Sequence, residues 1–176
     1  CNMIKEAGGI NTDKAKEIKA KQLYGIEFDR EIYALACANM LIHKDGKTNL
    51  EQLDTRKEEA ARWIREIKVK LESDSQTKGI TKVLMNPPFE RAYGCMTIVK
   101  AVLDNVPVGT KCAFILPDKK LEKDLKDKKY GNKVLKEHKV TTIIKLPENL
   151  FTGVTTSIFV FEAHKPQNGQ NIIGYY

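Results

Sequence analysis

Long apolar runs are missing from this sequence. None of its stretches approaches the roughly 18 residues that cross a bilayer, and the N-terminus lacks the basic-then-apolar layout of a secretory signal. A membrane-spanning or exported chain is set aside on those grounds, and a cytoplasmic one is expected. Cysteine and histidine are scarce too. Cys1, Cys37, Cys95 and Cys112 contain no CxxC pair, and His43, His138 and His164 stand far apart. Neither a disulfide framework nor a zinc site is expected from such spacing. Internal repeats and low-complexity tracts are absent, which argues against a repeat architecture.

What remains is a soluble globular balance, with 41% hydrophobic and 30% charged residues. At 176 residues the chain has the length of one ordinary domain with a real core. Its net charge of +7 suits a polyanionic partner. The lysines between Lys119 and Lys136 are interleaved with Glu122, Asp124 and Asp127, so a solvated helix face is preferred over a surface that tracks DNA.

Apolar runs and helical periodicities take turns along the chain, as in a doubly wound α/β domain. Cys1 to Ala7 reads as a helix tail stopped by Gly8-Gly9, and Thr12 caps a short helix to about Ala20. Gln22 to Phe28 reads as a buried strand, after which Asp29 N-caps a helix to about His43. Thr48 to Leu53 is a short strand ending at Asp54. Arg56 to Glu72 is an amphipathic helix with Ala60, Trp63, Ile64, Ile67 and Leu71 on one stripe. After a polar connector over 73–79, Thr81 to Met85 is a strand, Thr97 to Val106 a helix and Lys111 to Leu116 a strand closed by Pro117. The lysine-rich helix reaches about His138, and Val140 to Leu146 is a strand. Val154 to Glu162 is a last strand, pairing antiparallel at the sheet edge.

Chemistry concentrates in Asn86-Pro87-Pro88-Phe89, which directly follows the strand over 81–85. Ligands of open α/β sheets sit outside the carboxyl ends of strands, so the tetrad stands where a site belongs. A stiff proline turn is the bland alternative. The exocyclic amine of adenine is a poor nucleophile because its lone pair is delocalised into the ring. An enzyme acting on it must draw its two N–H bonds into acceptors, and the Asn86 side-chain oxygen and the Pro87 carbonyl supply two. The prolines fix φ and remove competing N–H donors. Phe89 offers a π-face to a base flipped from a duplex.

At these residues the sequence resembles the γ-type N6-adenine DNA methyltransferases, and more closely the modification (M) subunit of type I restriction-modification systems. Tyr24-Gly25-Ile26-Glu27-Phe28-Asp29, with Ala34 to His43, is similar to the family's second strand and its helix. Phe114-Ile115-Leu116-Pro117 is similar to the fifth strand. Leu146-Pro147-Glu148-Asn149-Leu150-Phe151, with Thr155-Thr156-Ser157, is similar to the segment before the last strand. The resemblance implies an α/β, Rossmann-like S-adenosylmethionine-dependent methyltransferase fold, its sheet mostly parallel with an antiparallel edge strand. It implies methyl transfer from S-adenosylmethionine to N6 of adenine in double-stranded DNA, in company with a specificity (S) subunit and a restriction subunit. Asn86, Pro87, Pro88 and Phe89 would be catalytic. Glu27 would accept hydrogen bonds from the cofactor ribose and Asp54 from its adenine amine, Phe28 would pack on that adenine, and Phe151 would help to sandwich the flipped base. Ordinary readings stand beside these: Glu27 as a helix-entry acid, Asp54 as a helix N-cap, and Phe28 and Phe151 as core.

One family feature is missing. The glycine-rich cofactor loop, Asp-Pro-x-x-Gly-Ser-Gly after the first strand, has no counterpart, since Gly8-Gly9 follows a helix instead of opening one. The sequence is therefore read as incomplete at the N-terminus, with residues 1–163 a partial catalytic domain and 164–176 the start of a C-terminal extension. In the family the first strand lies between the counterparts of the Glu27 and Asn86 strands. The resulting gap is expected to be closed by rearrangement, by a strand swapped from a second copy, or by direct pairing of those two strands. Weak cofactor binding by this chain is expected with it. The alternatives are a methyltransferase acting on an RNA base or a protein glutamine, and a non-catalytic assembly or DNA-docking module.

Overall fold

The computed structural model describes residues 6, 8–9, 11–42, 49–67, 69–70, 77–89, 94–118, 131–169 and 171–176. The chain falls into two units, residues 1–60 with 69–78 and residues 61–68 with 79–176. Cys1 to Ala7 apart from Glu6, together with His43, Leu71 and the lysine-rich stretch through 130, lie outside the described residues. Among the described residues no helix is long and apolar enough to cross a membrane.

In the first unit, Thr12 starts α1 (Asp13–Lys21). Its hydroxyl accepts a hydrogen bond from Ala15 N at 3.2 Å, satisfying a donor that the first helical turn leaves open. Asp29 does the same for α2 (Arg30–Ile42), its Oδ1 accepting from Glu31 N at 2.8 Å and Ile32 N at 3.0 Å. α2 is the crossover between two parallel strands, β1 (Gly25–Glu27) and β2 (Leu50–Gln52), in a register that sets Glu27 against Gln52. Tyr33 Oη donates to Leu50 O at 3.2 Å and ties helix to strand. The buried strand expected over 22–28 is a three-residue, half-buried one, with Leu23 and Tyr24 exposed before it. No residue of α2 is buried, and Phe28, Ile32, Leu35, Leu41 and Ile42 are exposed. Ala15 and Ile18 of α1 form a small buried cluster.

α3 spans Glu58–Glu66, shorter than the helix expected over 56–72. Beyond it, Ile67-Lys68-Val69-Lys70-Leu71 alternates apolar and basic residues, which is a strand period and not a helical one. Accordingly β3 (Val69–Lys70) pairs antiparallel with β4 (Thr77–Lys78), inside the stretch expected to be helix end and connector.

The second unit is built on β6 (Lys111–Pro117). Alternation places Cys112, Phe114 and Leu116 on the buried side, each at most 1% exposed. The antiparallel register with β8 (Thr156–Glu162) sets Cys112 opposite Phe161 and Phe114 opposite Phe159. Phe114 and Phe161 meet edge to face with ring centroids 5.8 Å apart. The sheet runs β5 (Lys82–Met85), β6, β8, β7 (Lys139–Lys145), β9 (Ile173–Tyr175). β5 is parallel to β6 and β7 to β9, whereas β8 is antiparallel to both its neighbours. The reversed strand, expected at the edge, is therefore interior. Its backbone N–H and C=O groups are paired with β6 on one side and β7 on the other, where an edge strand would leave one row unpaired. Residues 164–176, expected to open an extension, contribute β9.

α4 (Cys95–Asn105) adds Met96, Ile98, Val99, Val102 and Leu103 to the core, and α5 (Gly131–Glu137) adds Val134. Gly94 opens α4 at φ 64°, where a Cβ would stand 3.2 Å from Thr97 Oγ1. Among the described residues β1 and β5 belong to different sheets, so the Glu27 and Asn86 strands do not close the expected gap by pairing directly.

Candidate functional site

β5 ends at Met85, and Asn86 is the next residue. Its parallel neighbour β6 continues past Phe114, the partner of Met85, to Pro117. The tetrad thus leaves the sheet at the carboxyl end of two parallel strands, the end at which ligands of such sheets bind. Asn86 and Pro88 are exposed, Pro87 is buried and Phe89 is half-buried. A buried ring at Pro87 holds the backbone while the Asn86 amide faces solvent. Phe89 has an aromatic companion: Phe151, in the loop between β7 and β8, lies edge to face with it, centroids 5.3 Å apart and planes at 73°. Phe151, for which core is the ordinary reading, is half-buried and meets Phe89.

In the first unit, Glu27 closes β1 and Asp54 follows β2, so the parallel register brings the two acids to neighbouring strand ends. Glu27 Oε1 accepts from Asp29 N at 2.9 Å. Asp54 is engaged by Arg56 through both oxygens: Oδ1 accepts from Arg56 N at 3.0 Å and Nε at 2.8 Å, and Oδ2 from Nη2 at 2.8 Å. Those bonds hold the Asp54 carboxyl below the usual carboxylate range. It is no helix N-cap, because α3 begins only at Glu58; instead Asp54 closes a turn, its carbonyl accepting from Lys57 N at 2.9 Å. Phe28 is 55% exposed and does not fill core, and the Arg56 guanidinium lies 5.6 Å from its ring centroid. An aromatic ring beside two carboxylate acceptors at strand ends is a set that fits a nucleoside cofactor, whose ribose hydroxyls and amine donate.

The N-6 DNA Methylase family model matches residues 3–106 and 96–175. The chain belongs to that family. The type II restriction enzyme and methyltransferase RM.BcgI of Heyndrickxia coagulans is 30% identical over 164 residues, which are 87% of this chain and 24% of that protein. The M protein of the type I restriction enzyme EcoKI superposes with a TM-score of 0.64 at 18% identity, over 92% of this chain and 35% of that one. A modification subunit from Vibrio vulnificus does so with a TM-score of 0.60 at 18% identity, over 89% and 36%. The chain thus spans between 24% and 36% of the length of these relatives. The structural likenesses show the fold: Rossmann-like, of the class I S-adenosylmethionine-dependent methyltransferase type.

Two polar clusters carry no local signal in the sequence comparable to the tetrad. At the carboxyl end of β6, Asp118 Oδ1 accepts from Ser157 Oγ at 2.7 Å and Oδ2 accepts from Lys145 Nζ, while Asp118 N donates to Thr155 O at 3.1 Å. Burial pushes the Asp118 carboxyl up, but the bonds from Lys145 and Ser157 outweigh it and hold the group below the ordinary range. The available signal was a polar residue at the end of each apolar strand.

The second cluster surrounds His138, whose side chain is fully buried. Its Nδ1 accepts from His164 N at 3.0 Å, which leaves the proton on Nε2 to be donated to Asp104 Oδ1 at 3.1 Å. Lys100 Nζ lies 2.7 Å from Asp104 Oδ2 and 3.0 Å from Glu137 Oε2. Asp104, Glu137 and His138 are close enough together to suit a cation. Lys100 already supplies the positive charge, however, and the imidazole nitrogen facing the acids carries a proton, so the cluster is a structural pin. The Cys112 thiol, pushed up to about 12 by burial, is equally inert.

Proposed function

We propose that the full-length protein transfers a methyl group from S-adenosylmethionine to N6 of adenine in double-stranded DNA. It does so as the modification subunit of a cytoplasmic type I restriction-modification system, assembled with a specificity subunit and a restriction subunit. The observation that carries the reading is Asn86-Pro87-Pro88-Phe89 at the carboxyl end of β5 in a chain of the N-6 DNA Methylase family.

S-adenosylmethionine, when bound, supplies an electrophilic methyl group. The chain's own residues prepare the acceptor. Asn86 Oδ1 and the Pro87 carbonyl accept the two amine N–H bonds of a flipped adenine, which draws its lone pair out of the ring. Phe89, and Phe151 at its edge, give the unstacked base an aromatic wall in place of its neighbours in the duplex. No strong general base is needed, because the amine becomes acidic only as the new carbon–nitrogen bond forms. Glu27 would hold the ribose hydroxyls, Phe28 would pack on the cofactor adenine, and Asp54, whose carboxylate bonds Arg56, would accept from the adenine amine.

The test is radiolabelled methyl transfer by the full-length protein with its partners to adenine-containing duplex DNA, RNA and protein acceptors. DNA is expected to be labelled, and Asn86→Ala to cost roughly 10²–10³-fold in rate, as loss of one preorganised transition-state contact does, with assembly intact. Labelling of RNA or protein in preference to DNA would overturn the substrate, and undiminished labelling by Asn86→Ala would overturn the site.

A further inference from the structure

The loop that carries Phe151 leaves β7 after Lys145 and enters β8 at Thr156. Asp118 grips both of its ends. One carboxylate oxygen takes the Lys145 ammonium at the departing end. The other takes the Ser157 hydroxyl at 2.7 Å, and the Asp118 amide bonds the Thr155 carbonyl at 3.1 Å, at the returning end. Leu146 N also donates to Thr156 O at 3.1 Å, which closes the neck of the loop. Within it, Leu150 N donates to Pro147 O at 3.1 Å and Val154 N to Phe151 O at 3.4 Å, so Phe151 sits on a short closed turn whose base is the Asp118 node. Asp118 itself directly follows β6, the strand that flanks the tetrad's own β5.

We propose that Asp118 is a positioning residue for the aromatic wall: by holding Lys145 and Ser157 at the two ends of the 146–155 loop, it sets where Phe151 stands against Phe89. Asp118 does not touch the base. It acts through Phe151, and the inference rests on reading Asn86 to Phe89 as the target-base site. Shortening or neutralising the node lets the loop mouth widen, and an edge-to-face ring contact at 5.3 Å is lost with small displacements. Asp118→Asn keeps an acceptor for Ser157 and removes the charge that binds Lys145, so it loosens one end of the loop while leaving the sheet ladders in place.

The experiment is a double-mutant cycle in the full-length protein with its partners, reading kcat/KM for methyl transfer to duplex DNA. In parallel, the fluorescence of 2-aminopurine at the target adenine reports base flipping. Asp118→Asn is expected to lower kcat/KM about tenfold in the native background, the size of coupling seen within one hydrogen-bond network. It is also expected to reduce the flipping signal and to have almost no further effect when Phe151 is already Leu. A purely structural Asp118 would give the same loss in both backgrounds, and that result overturns the proposal. Asn86→Ala separates the two levels. If it abolishes transfer while Asp118→Asn stays additive with Phe151→Leu, Asp118 alone has been misread. If it leaves transfer intact, the site reading fails and the Asp118 inference falls with it.

Discussion

The two units of the chain hold their functional candidates on very different supports. In the second, the Asn86 tetrad extends a five-stranded sheet whose central strands bury Phe114, Leu116, Phe159 and Phe161, with Val99, Val102 and Leu103 from α4 buried as well. In the first, Glu27 and Asp54 stand at the ends of two three-residue parallel strands, and the crossover helix between them has no fully buried residue. Parallel sheets are stable when both faces are covered, and a two-stranded sheet is marginal by itself. The sheet beneath the tetrad is thus consolidated by its own core, whereas the two-stranded sheet relies on local capping and turn bonds: Asp29 over α2, Arg56 over Asp54 and Tyr33 to Leu50.

The largest effect that tests this contrast is in stability. Phe114→Ala is expected to cost roughly 3–5 kcal/mol, as large-to-small changes in packed cores do. Leu35→Ala, at a position 65% exposed on α2, is expected to change stability by no more than about 0.5 kcal/mol. Urea unfolding of both variants reads the pair. A cost of several kcal/mol for Leu35→Ala would break the comparison, since it would mean that the α2 face is covered in solution.

A smaller effect concerns pH. Burial holds the His138 pKa below its ordinary value, against the pull of Asp104 and with the help of His164 and Lys100. The folded state therefore binds that proton less readily than the unfolded chain. The stabilisation from a neutral His138 is complete above about pH 6.5, the ordinary histidine value, and is lost as pH falls below it. Thermal midpoints measured from pH 7.5 down to 5.5 are expected to fall, and the slope should flatten in His138→Gln. An unchanged slope would show that His138 does not titrate against folding.

The smallest effect separates two adjacent residues of β8. Ser157 is bonded to Asp118, whereas the Thr156 hydroxyl is buried with no hydrogen-bond partner among the described residues. An orphaned buried hydroxyl destabilises, so Thr156→Val should leave stability unchanged or raise it by up to about 1 kcal/mol. Ser157→Ala should lower it. The reverse order in chemical denaturation would show that the Thr156 hydroxyl finds a partner in solution.

Much of this molecule could be read before it was seen folded. Thr12 and Asp29 cap helices as their side chains dictate, and the apolar strand before Asn86 delivers the tetrad to a strand end. The misreadings share one cause, a local pattern judged without its partner. The helix expected over 56–72 includes Val69 and Lys70, which pair as a strand with a partner outside it, and β8, expected at an edge, has a hydrogen-bonded neighbour on each side. The contact of Phe151 with Phe89 has no local signal, because the two rings are remote in the chain.

The proposed reaction class rests on the sequence by itself, because Asn86-Pro87-Pro88-Phe89 is four consecutive residues and its acceptors, stiffness and aromatic face are covalently in place. Family membership rests on the same kind of information, spread along the chain. Only the tertiary structure decided which strand lies beside which, that Phe151 meets Phe89, that Asp118 joins Lys145 to Ser157, and that His138 and His164 pin one another. Those pairings depend on burial and hydrogen bonds between segments far apart in the chain, and no local run of residues contains the energy that selects them.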